Sequence, residues 1–490
     1  MFSIVEQTRL RVSKSTDAKK KSQLGQFFTP GSTAKFMASL FTETVGGECR
    51  LLDAGAGIGS LSCAFLQRCH ASTFCFDKID LTAYELDEVL HQELIHSLSG
   101  FTDVMPLSFK VIAGDFIEAG VNEIQFWRHT FTHAILNPPY KKISSHSHYR
   151  LLLREVEIET VNLYSAFVAL TLLLMAPGGQ IVAIIPRSFC NGPYYRPFRD
   201  HLLKHAAIRH LHLFESRSKA FKDDDVLQEN IIIRLERSSQ QGPVSVSTST
   251  DDSFSDIKYH EHAFDRIVFP DDKERFIHIP TSPDKNMVDR CPAIHHSLAD
   301  LGLSVSTGPV VDFRLKAHLR NMPEPGTVPL LYPIHFGSTG TDWPKPDSKK
   351  PNAIQRNPET EKWLFPKGTY CIVRRFSSKE EKRRIVASVV DQAKFPTETM
   401  LGFENHLNVF HINKNGLPKA LANGLAVFLS TTAVDENFRR FNGHTQVNAT
   451  DLKQMKYLSR DALIELGEWA MNAGPLTQAM IDEKFARMTE

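Results

Sequence analysis

The seven cysteines (Cys49, Cys63, Cys69, Cys75, Cys190, Cys291, Cys371) include no C-x-x-C pair. That spacing argues against a zinc site, and a disulfide framework is implausible in a chain of 490 residues. Reduced thiols in a cytoplasmic protein are the simplest reading. No apolar run is long enough to span a bilayer. The longest, AFVALTLLLMA at 166–176, stops at PGG. The opening MFSIVEQTRLRVSKSTDAKKK has no apolar core, so no secretory signal is expected. An overall basic excess is missing too: 57 Lys and Arg stand against 56 Asp and Glu, for a net charge of +1. Global charge therefore gives no support for nucleic-acid binding, although a local basic face can hide behind acidic regions elsewhere. Internal repeats and coiled-coil heptads are also absent.

What is present divides into two textures. Up to about residue 240, short apolar runs alternate with helical spacing. RLLDAGAG (50–57), IDLTAYELD (79–87), FKVIAGDF (109–116) and FTHAILNPPY (131–140) read as strands, and SLSCAFLQRC (60–69) as a helix. SAFVALTLLLMAPGGQIVAIIP (165–186) reads as helix, glycine turn and strand. That alternation predicts an α/β fold with a doubly wound parallel sheet, whose ligands lie at the carboxyl ends of the strands. The Ser/Thr/Gln/Asp-rich stretch 237–256 reads as a linker or exposed loop. Beyond it, β-like runs at 325–336, 368–376 and 405–412 and a helical stretch at 416–441 predict an α+β region. The expected division is a catalytic domain over 1–240 and a second domain over 245–490.

The first strand leads through Asp53, Ala54, Gly55, Gly57 and Gly59 into a helix. Glycines there permit close backbone approach to a ligand, though many α/β folds carry them. A pyrophosphate prefers amides and positive potential at a helix start. An acid beside the turn suits instead a ligand with a cationic ammonium group, such as S-adenosyl-L-methionine. Glu85 closes the next strand, where a carboxylate can grip two ribose hydroxyls. Asp115 and Phe116 close the following one, where an acid and a ring can hold adenine.

The fourth strand leaves through LNPPYKKI (136–143). Pro-Pro can merely terminate a strand, and a tyrosine can merely cap a core. The alternative is a site. Pro138 and Pro139 hold the loop rigid, the Asn137 side-chain oxygen and the Pro138 carbonyl accept from one amino group, and Tyr140 offers a flat face. Such a pocket fits a planar heterocycle with an exocyclic amine.

DAGAGIG, YELD, GDF and NPPY, in that order and preceded by LGQFFTP (24–30), resemble the DNA adenine-N6 methyltransferases of the γ order, a branch of the class I S-adenosylmethionine-dependent methyltransferases. With PLLYPIHF, RRFSSKEEKRR and NGHTQVNATDL beyond residue 320, the chain looks most like PstI/BsuBI-type modification methylases. The resemblance implies methylation of an adenine flipped out of double-stranded DNA. It implies a C-terminal target recognition domain and a separate cognate restriction endonuclease, and it hints at a short palindrome of the CTGCAG kind. It also implies that Gln26, Thr29 and Pro30 line the methionine end of the cofactor site, with Asn137 beside it. Asn137 and Pro138 would accept from adenine N6, and Tyr140 would stack on the base.

For a second aromatic contact, Phe189 is the first candidate and Tyr194 the next, both in PRSFCNGPYYRPFR (186–199), and either can equally be ordinary packing. Lys141 and Lys142 stand where a phosphate of the flipped strand could pass. Arg374, Arg375, Arg439 and Arg440 interleave with polar side chains and are candidate DNA contacts, or simply solvated helix faces. No metal is called for. NPPY also serves enzymes that methylate a protein glutamine, and RNA adenine methylation uses the same pocket logic. A Pro-Cys nucleophile for cytosine-C5 chemistry is absent from the loop. About twenty residues before LGQFFTP are too few for a fused nuclease.

Overall fold

The computed structural model describes residues 2–15, 28–42, 45–71, 74–126, 130–215, 229–282, 288, 291–337, 340–377, 381–443 and 445–489. They form two compact units, Met1–Pro283 and Asp284–Glu490. In the first, α1 (Phe2–Ser15) and α2 (Gly31–Ser39) precede β1 (Glu48–Ala54), α3 (Ser60–Ala71), β2 (Lys78–Glu85), α4 (Glu88–Thr102) and β3 (Leu107–Ala113). Then follow α5 (Phe116–Gln125), β4 (Phe131–Leu136), α6 (His148–Glu155), α7 (Leu163–Leu174), β5 (Met175–Pro186), α8 (Arg196–His205) and β6 (Ala206–Phe214). The unit closes with β7 (Asn230–Arg237), β8 (Val244–Ser249) and β9 (Lys258–His262).

These strands make one sheet in the order β3-β2-β1-β4-β5-β7-β6-β8-β9. β3, β2, β1, β4 and β5 run parallel, and β7 is antiparallel to both β5 and β6. Successive side chains of a strand point to opposite faces, so each strand feeds two cores. Leu52, Ala134, Leu136, Ile181, Ala183 and Ile233 enter the core that holds α5 and α7. Leu51, Ile79, Leu81, Ile135, Val182 and Ile232 enter the one that holds α2, α3 and α4. Burial on both faces explains why these strands read as continuous apolar runs. In α7 every residue except Leu173 is buried, hence its apolar circumference.

The polar stretch 237–256 is not a linker. Within it β8 pairs with β6 and β9, and Ser247, Thr248 and Ser249 are buried. Ser247 meets the rings of His210 and His212 at 2.7 and 2.8 Å. Buried serines satisfied this way keep a polar composition inside a sheet. The units therefore part at 283/284 rather than at 240–245.

The second unit carries β10 (Ser304–Thr307), β11 (Leu319–Arg320), β12 (Thr327–Leu331), β13 (Phe336–Gly337), β14 (Gly340–Thr341), β15 (Ala353–Gln355), β16 (Leu364–Pro366), β17 (Tyr370–Arg374), β18 (Ala387–Val390), β19 (Met400–Phe403) and β20 (Leu407–His411). They form sheets in the orders β10-β20-β17-β18 and β11-β15-β12-β19-β16, plus the β13-β14 pair. Helices α9 (Lys419–Leu429), α10 (Thr432–Phe441), α11 (Ala449–Gln454), α12 (Arg460–Asn472) and α13 (Gln478–Thr489) follow. α9 and α12 pack backbone to backbone: a Cβ on Gly424 would lie 1.7 Å from the Leu463 carbonyl oxygen. Among the described residues, no helix is long and apolar enough to cross a membrane, and no His/Cys/Asp/Glu group could hold a metal. The seven cysteines are all free.

Candidate active site

Parallel β1, β2, β3 and β4 end on one side of the sheet, and a cavity of ≈ 450 Å³ opens there. That is the size range of small-molecule sites. Its lining includes Phe28, Gly55, Gly57, Tyr84, Glu85, Asp115, Phe116, Asn137, Pro139, Lys141 and Tyr149.

The glycine loop is tied down by the neighbouring strand. Gly55 and Ala56 N–H both donate to the Tyr84 carbonyl at 2.9 Å. Gly57 N–H donates to Glu85 Oε2 at 2.7 Å, and Asp87 N–H donates to Oε1 at 2.8 Å. Gly57 and Gly59 sit at φ 58° and 87°, a conformation costly for other residues. A side chain on Gly59 would also run into Leu94 at 2.8 Å. Burial pushes the Glu85 carboxyl above its ordinary value, and its two backbone bonds pull it back. Each of its oxygens keeps a further lone pair for a ligand.

Asp53 departs from expectation. It is fully buried beneath the loop and does not line the cavity. Its Oδ2 accepts from Ser62 Oγ at 2.6 Å, which ties β1 to α3. Oδ1 has no partner among the described residues, and burial pushes the carboxyl up to about 7. Asp53 braces the loop from below instead of facing an ammonium group. Ala54 is likewise buried.

Asp115 caps α5 through Oδ1, which accepts from Ile117 N–H at 2.7 Å and Glu118 N–H at 3.3 Å. Oδ2 accepts from the Tyr149 hydroxyl, whose ionisation is pushed up by burial and by that bond. Phe116 packs edge-on to Tyr84 at the cavity wall.

At the end of β4, Asn137 Nδ2 donates to Thr29 Oγ1 at 2.9 Å. This bond joins the FFTP segment to NPPY across 108 residues of sequence. Phe28 lines the cavity, and Pro30 stands at the start of α2. Gln26 lies outside the described residues. Asn137 Oδ1 accepts from the Tyr140 hydroxyl at 3.1 Å, and that hydroxyl also reaches the Ile184 carbonyl at 3.2 Å. The Pro138 carbonyl accepts no hydrogen bond from the described residues. Asn137 and Pro138 thus follow directly on the end of β4.

The Tyr140 ring is half-buried and meets Tyr164 edge-on at 6.2 Å. Tyr164 stacks in turn on Tyr195, whose hydroxyl accepts from Asn162 at 2.6 Å. Contrary to expectation, Phe189 is fully buried against Phe198 and presents no face to a ligand. Tyr194 is 75% exposed. Tyr195, one residue on and tied to Tyr140 through Tyr164, was missed because one aromatic in PYYRPF reads like another. Tyr149, whose segment carries no sequence motif, also lines the cavity.

The C-terminal cations also separate. Arg374 pairs with Glu381, and Arg439 pairs with Asp435 at 2.8 Å and reaches the Glu381 carbonyl. Both brace the scaffold. Arg384, in the same basic run, is buried, with Nη2 donating to Asn442 Oδ1 at 2.7 Å. Arg375 donates to the Asn405 carbonyl and to Gln446 Oε1, both at 3.2 Å. Arg440 is half-buried in the last turn of α10.

Comparison with known proteins agrees with this geometry. Residues 72–221 match the family described as Eco57I restriction-modification methylase. The chain is 53% identical to Type II methyltransferase M.BsuBI of Bacillus subtilis over 99% of its own length and 97% of that protein's. It is 41% identical to Type II methyltransferase M.PstI of Providencia stuartii, over 98% and 96% respectively. Two solved structures share the fold at 12% identity: DrdV in complex with DNA, with a TM-score of 0.53, and a nuclease-deletion mutant of the Type ISP enzyme LlaGI with a DNA substrate mimic, with a TM-score of 0.51. The chain spans 57% and 56% of those longer chains. A mostly parallel α/β sheet with its cavity at the strand ends, and relatedness over almost the whole length, lead to one conclusion: the chain belongs to the Type II methyltransferases of restriction–modification systems that include M.BsuBI and M.PstI.

Proposed function

We propose that the protein transfers a methyl group from S-adenosyl-L-methionine to the N6 amino group of an adenine flipped out of duplex DNA at a specific site. The reading rests above all on Asn137, which lines the cavity just past β4 and is tied to Thr29, with Pro138 next to it in the chain; the Asn137 side-chain oxygen and the Pro138 carbonyl would accept from one amino group. S-adenosyl-L-methionine supplies an electrophilic sulfonium methyl. In this reading Glu85 takes the ribose hydroxyls, and Asp115 and Phe116 take the adenine of the cofactor, around the cavity that these residues line.

An aromatic amine is a poor nucleophile because its lone pair is delocalised into the ring. Two acceptors that draw its hydrogens down favour a tetrahedral nitrogen and free the lone pair. Thr29 fixes the Asn137 amide by accepting from its Nδ2, and in this reading Oδ1 would accept from the base as well as from the Tyr140 hydroxyl. As the N–CH3 bond forms and the S–CH3 bond breaks, the surplus proton leaves N6 for water. Positioning and electrostatic stabilisation carry the rate, with no covalent enzyme intermediate. Flipping the base costs a few kcal/mol, and stacking on Tyr140 returns about 1–3 kcal/mol. The second unit selects the sequence, and the modification protects host DNA in the cytoplasm from a separate cognate endonuclease.

The test offers labelled S-adenosyl-L-methionine with duplex DNA, RNA and a release-factor protein in parallel. Label in DNA alone, at adenine, is the expected result. Label in RNA or in the protein, with none in DNA, overturns the reading.

A further inference from the structure

In the second unit three segments converge beyond the end of β17. Arg375 N–H donates to the His406 carbonyl at 2.8 Å, and Val447 N–H donates to the Arg375 carbonyl at 2.7 Å. Phe376 and Gln446 form an antiparallel bridge. This backbone lacing brings Arg375, Phe376, His406 and Gln446 together on rigid main chain.

Their side chains form two braced pairs. Arg375 Nη1 donates to the Asn405 carbonyl and Nη2 to Gln446 Oε1. Each terminal nitrogen has two hydrogens, so one on each remains without a partner among the described residues. Those two form a fork. His406 Nδ1 lies 2.5 Å from Glu404 Oε1, and His406 N–H donates to Glu404 Oε2 at 2.9 Å. The Glu404 side chain is fully buried while that of His406 is 41% exposed, so the carboxylate fixes the ring and Nε2 faces outward. Phe376, 40% exposed, lies between the pairs, with its ring centroid 4.9 Å from that of His406 and 5.9 Å from Arg375 Cζ. Internal bracing of this kind has a scaffold reading, as for Arg374 and Arg439. Those two arginines, however, are braced by carboxylates. Arg375 is braced by neutral acceptors and has no carboxylate partner among the described residues.

We infer that Arg375, positioned by Gln446, reads the major-groove edge of a guanine in the recognition sequence, and that His406, positioned by Glu404, reads an adjoining base pair. A two-pronged arginine matches guanine O6 and N7. The inference rests on the proposed DNA methylation and adds the residues that choose the site.

The test uses the full chain and the sequence it modifies, found by mapping methylated bases in DNA treated with the wild type. Each guanine of that site is replaced in turn by 7-deazaguanine, which pairs normally but lacks the N7 acceptor. One replacement should lower wild-type kcat/KM by about 10- to 100-fold. Arg375→Ala should be slower by a similar factor on natural DNA yet indifferent to that replacement, with unchanged S-adenosyl-L-methionine affinity. Gln446→Ala, which keeps the guanidinium, should show intermediate sensitivity at the same guanine, and it serves if Arg375→Ala does not fold. His406→Ala should relax choice at a base pair adjoining that guanine. Undiminished sensitivity at every guanine in the Arg375 and Gln446 variants, or a site with no sensitive guanine, overturns the inference while the wild type still methylates DNA. A wild type that methylates no DNA overturns it together with the reading on which it rests.

Discussion

The cavity acids of the first unit and three arginines of the second are held in different ways. In the first, the cavity acids are held by main chain: Glu85 accepts from Gly57 and Asp87 N–H, and Asp115 from Ile117 and Glu118 N–H. In the second, arginines are held largely by other side chains: Arg374 by Glu381, Arg384 by Asn442 and Ser377, Arg439 by Asp435. Main-chain bonds persist through most substitutions, because every residue but proline supplies the same N–H. Side-chain braces are lost or re-paired one substitution at a time.

The comparison sharpens most with Arg384→Ala. It removes a buried guanidinium and leaves the Asn442 and Ser377 oxygens without that donor, so a loss of about 1–3 kcal/mol of stability is expected by denaturant unfolding. A loss below 1 kcal/mol would show that the side-chain bracing of the second unit carries little. Next is Asn137→Ala. A drop of about 10²–10³-fold or more in kcat is expected, while calorimetry should show cofactor binding largely intact. Glu85→Ala should do the reverse and empty the cavity. Equal loss of cofactor affinity in both variants would show that Asn137 serves the cofactor rather than the base.

Tyr140 comes third. Tyr140→Ala should weaken the hold on the flipped base by about 1–3 kcal/mol, read from 2-aminopurine emission at the target position. Tyr140→Phe keeps the π-face but drops the bonds to Asn137 and the Ile184 carbonyl. It should cost about 1 kcal/mol, chiefly in kcat. If truncation lowers the melting temperature and cofactor affinity alike and leaves emission per folded molecule unchanged, the ring only caps the core. The smallest effect belongs to the exposed brace: Arg374→Ala should change stability by about 0–1 kcal/mol and leave sequence choice intact. A shift in the methylated sequence would return Arg374 to the DNA surface.

Much of the first unit was legible because a sheet buried on both faces imposes continuous apolar runs, and β1, β2, β4 and β5 lie where such runs predict, while β3 is an edge strand with no fully buried residue. The glycine loop, Glu85, Asp115 and Asn137 were legible from their place at strand ends. Asp53 was misplaced because a sequence shows that an acid stands beside a loop but not on which side. Phe189 was misplaced because aromatic residues after a core strand serve core and surface equally. β8 was hidden because its buried serines are satisfied by histidines 35 and 37 residues away, a pairing that no local pattern announces. In the second unit the basic runs were visible, but which arginines face carboxylates depends on distant partners. Arg439 and Asp435 share a helix face, whereas Arg384 finds Asn442 58 residues on.

The central claim is that the acceptor pair at Asn137 and Pro138 directs methylation to adenine N6. The most direct measurement is mass spectrometry of nucleosides from duplex DNA treated with the wild type and with Asn137→Ala in the presence of S-adenosyl-L-methionine. N6-methyldeoxyadenosine as the sole modified nucleoside with the wild type, and its near disappearance with Asn137→Ala at full cofactor occupancy, is the predicted result. Methylated cytosine, or undiminished N6-methyldeoxyadenosine from the variant, would contradict it.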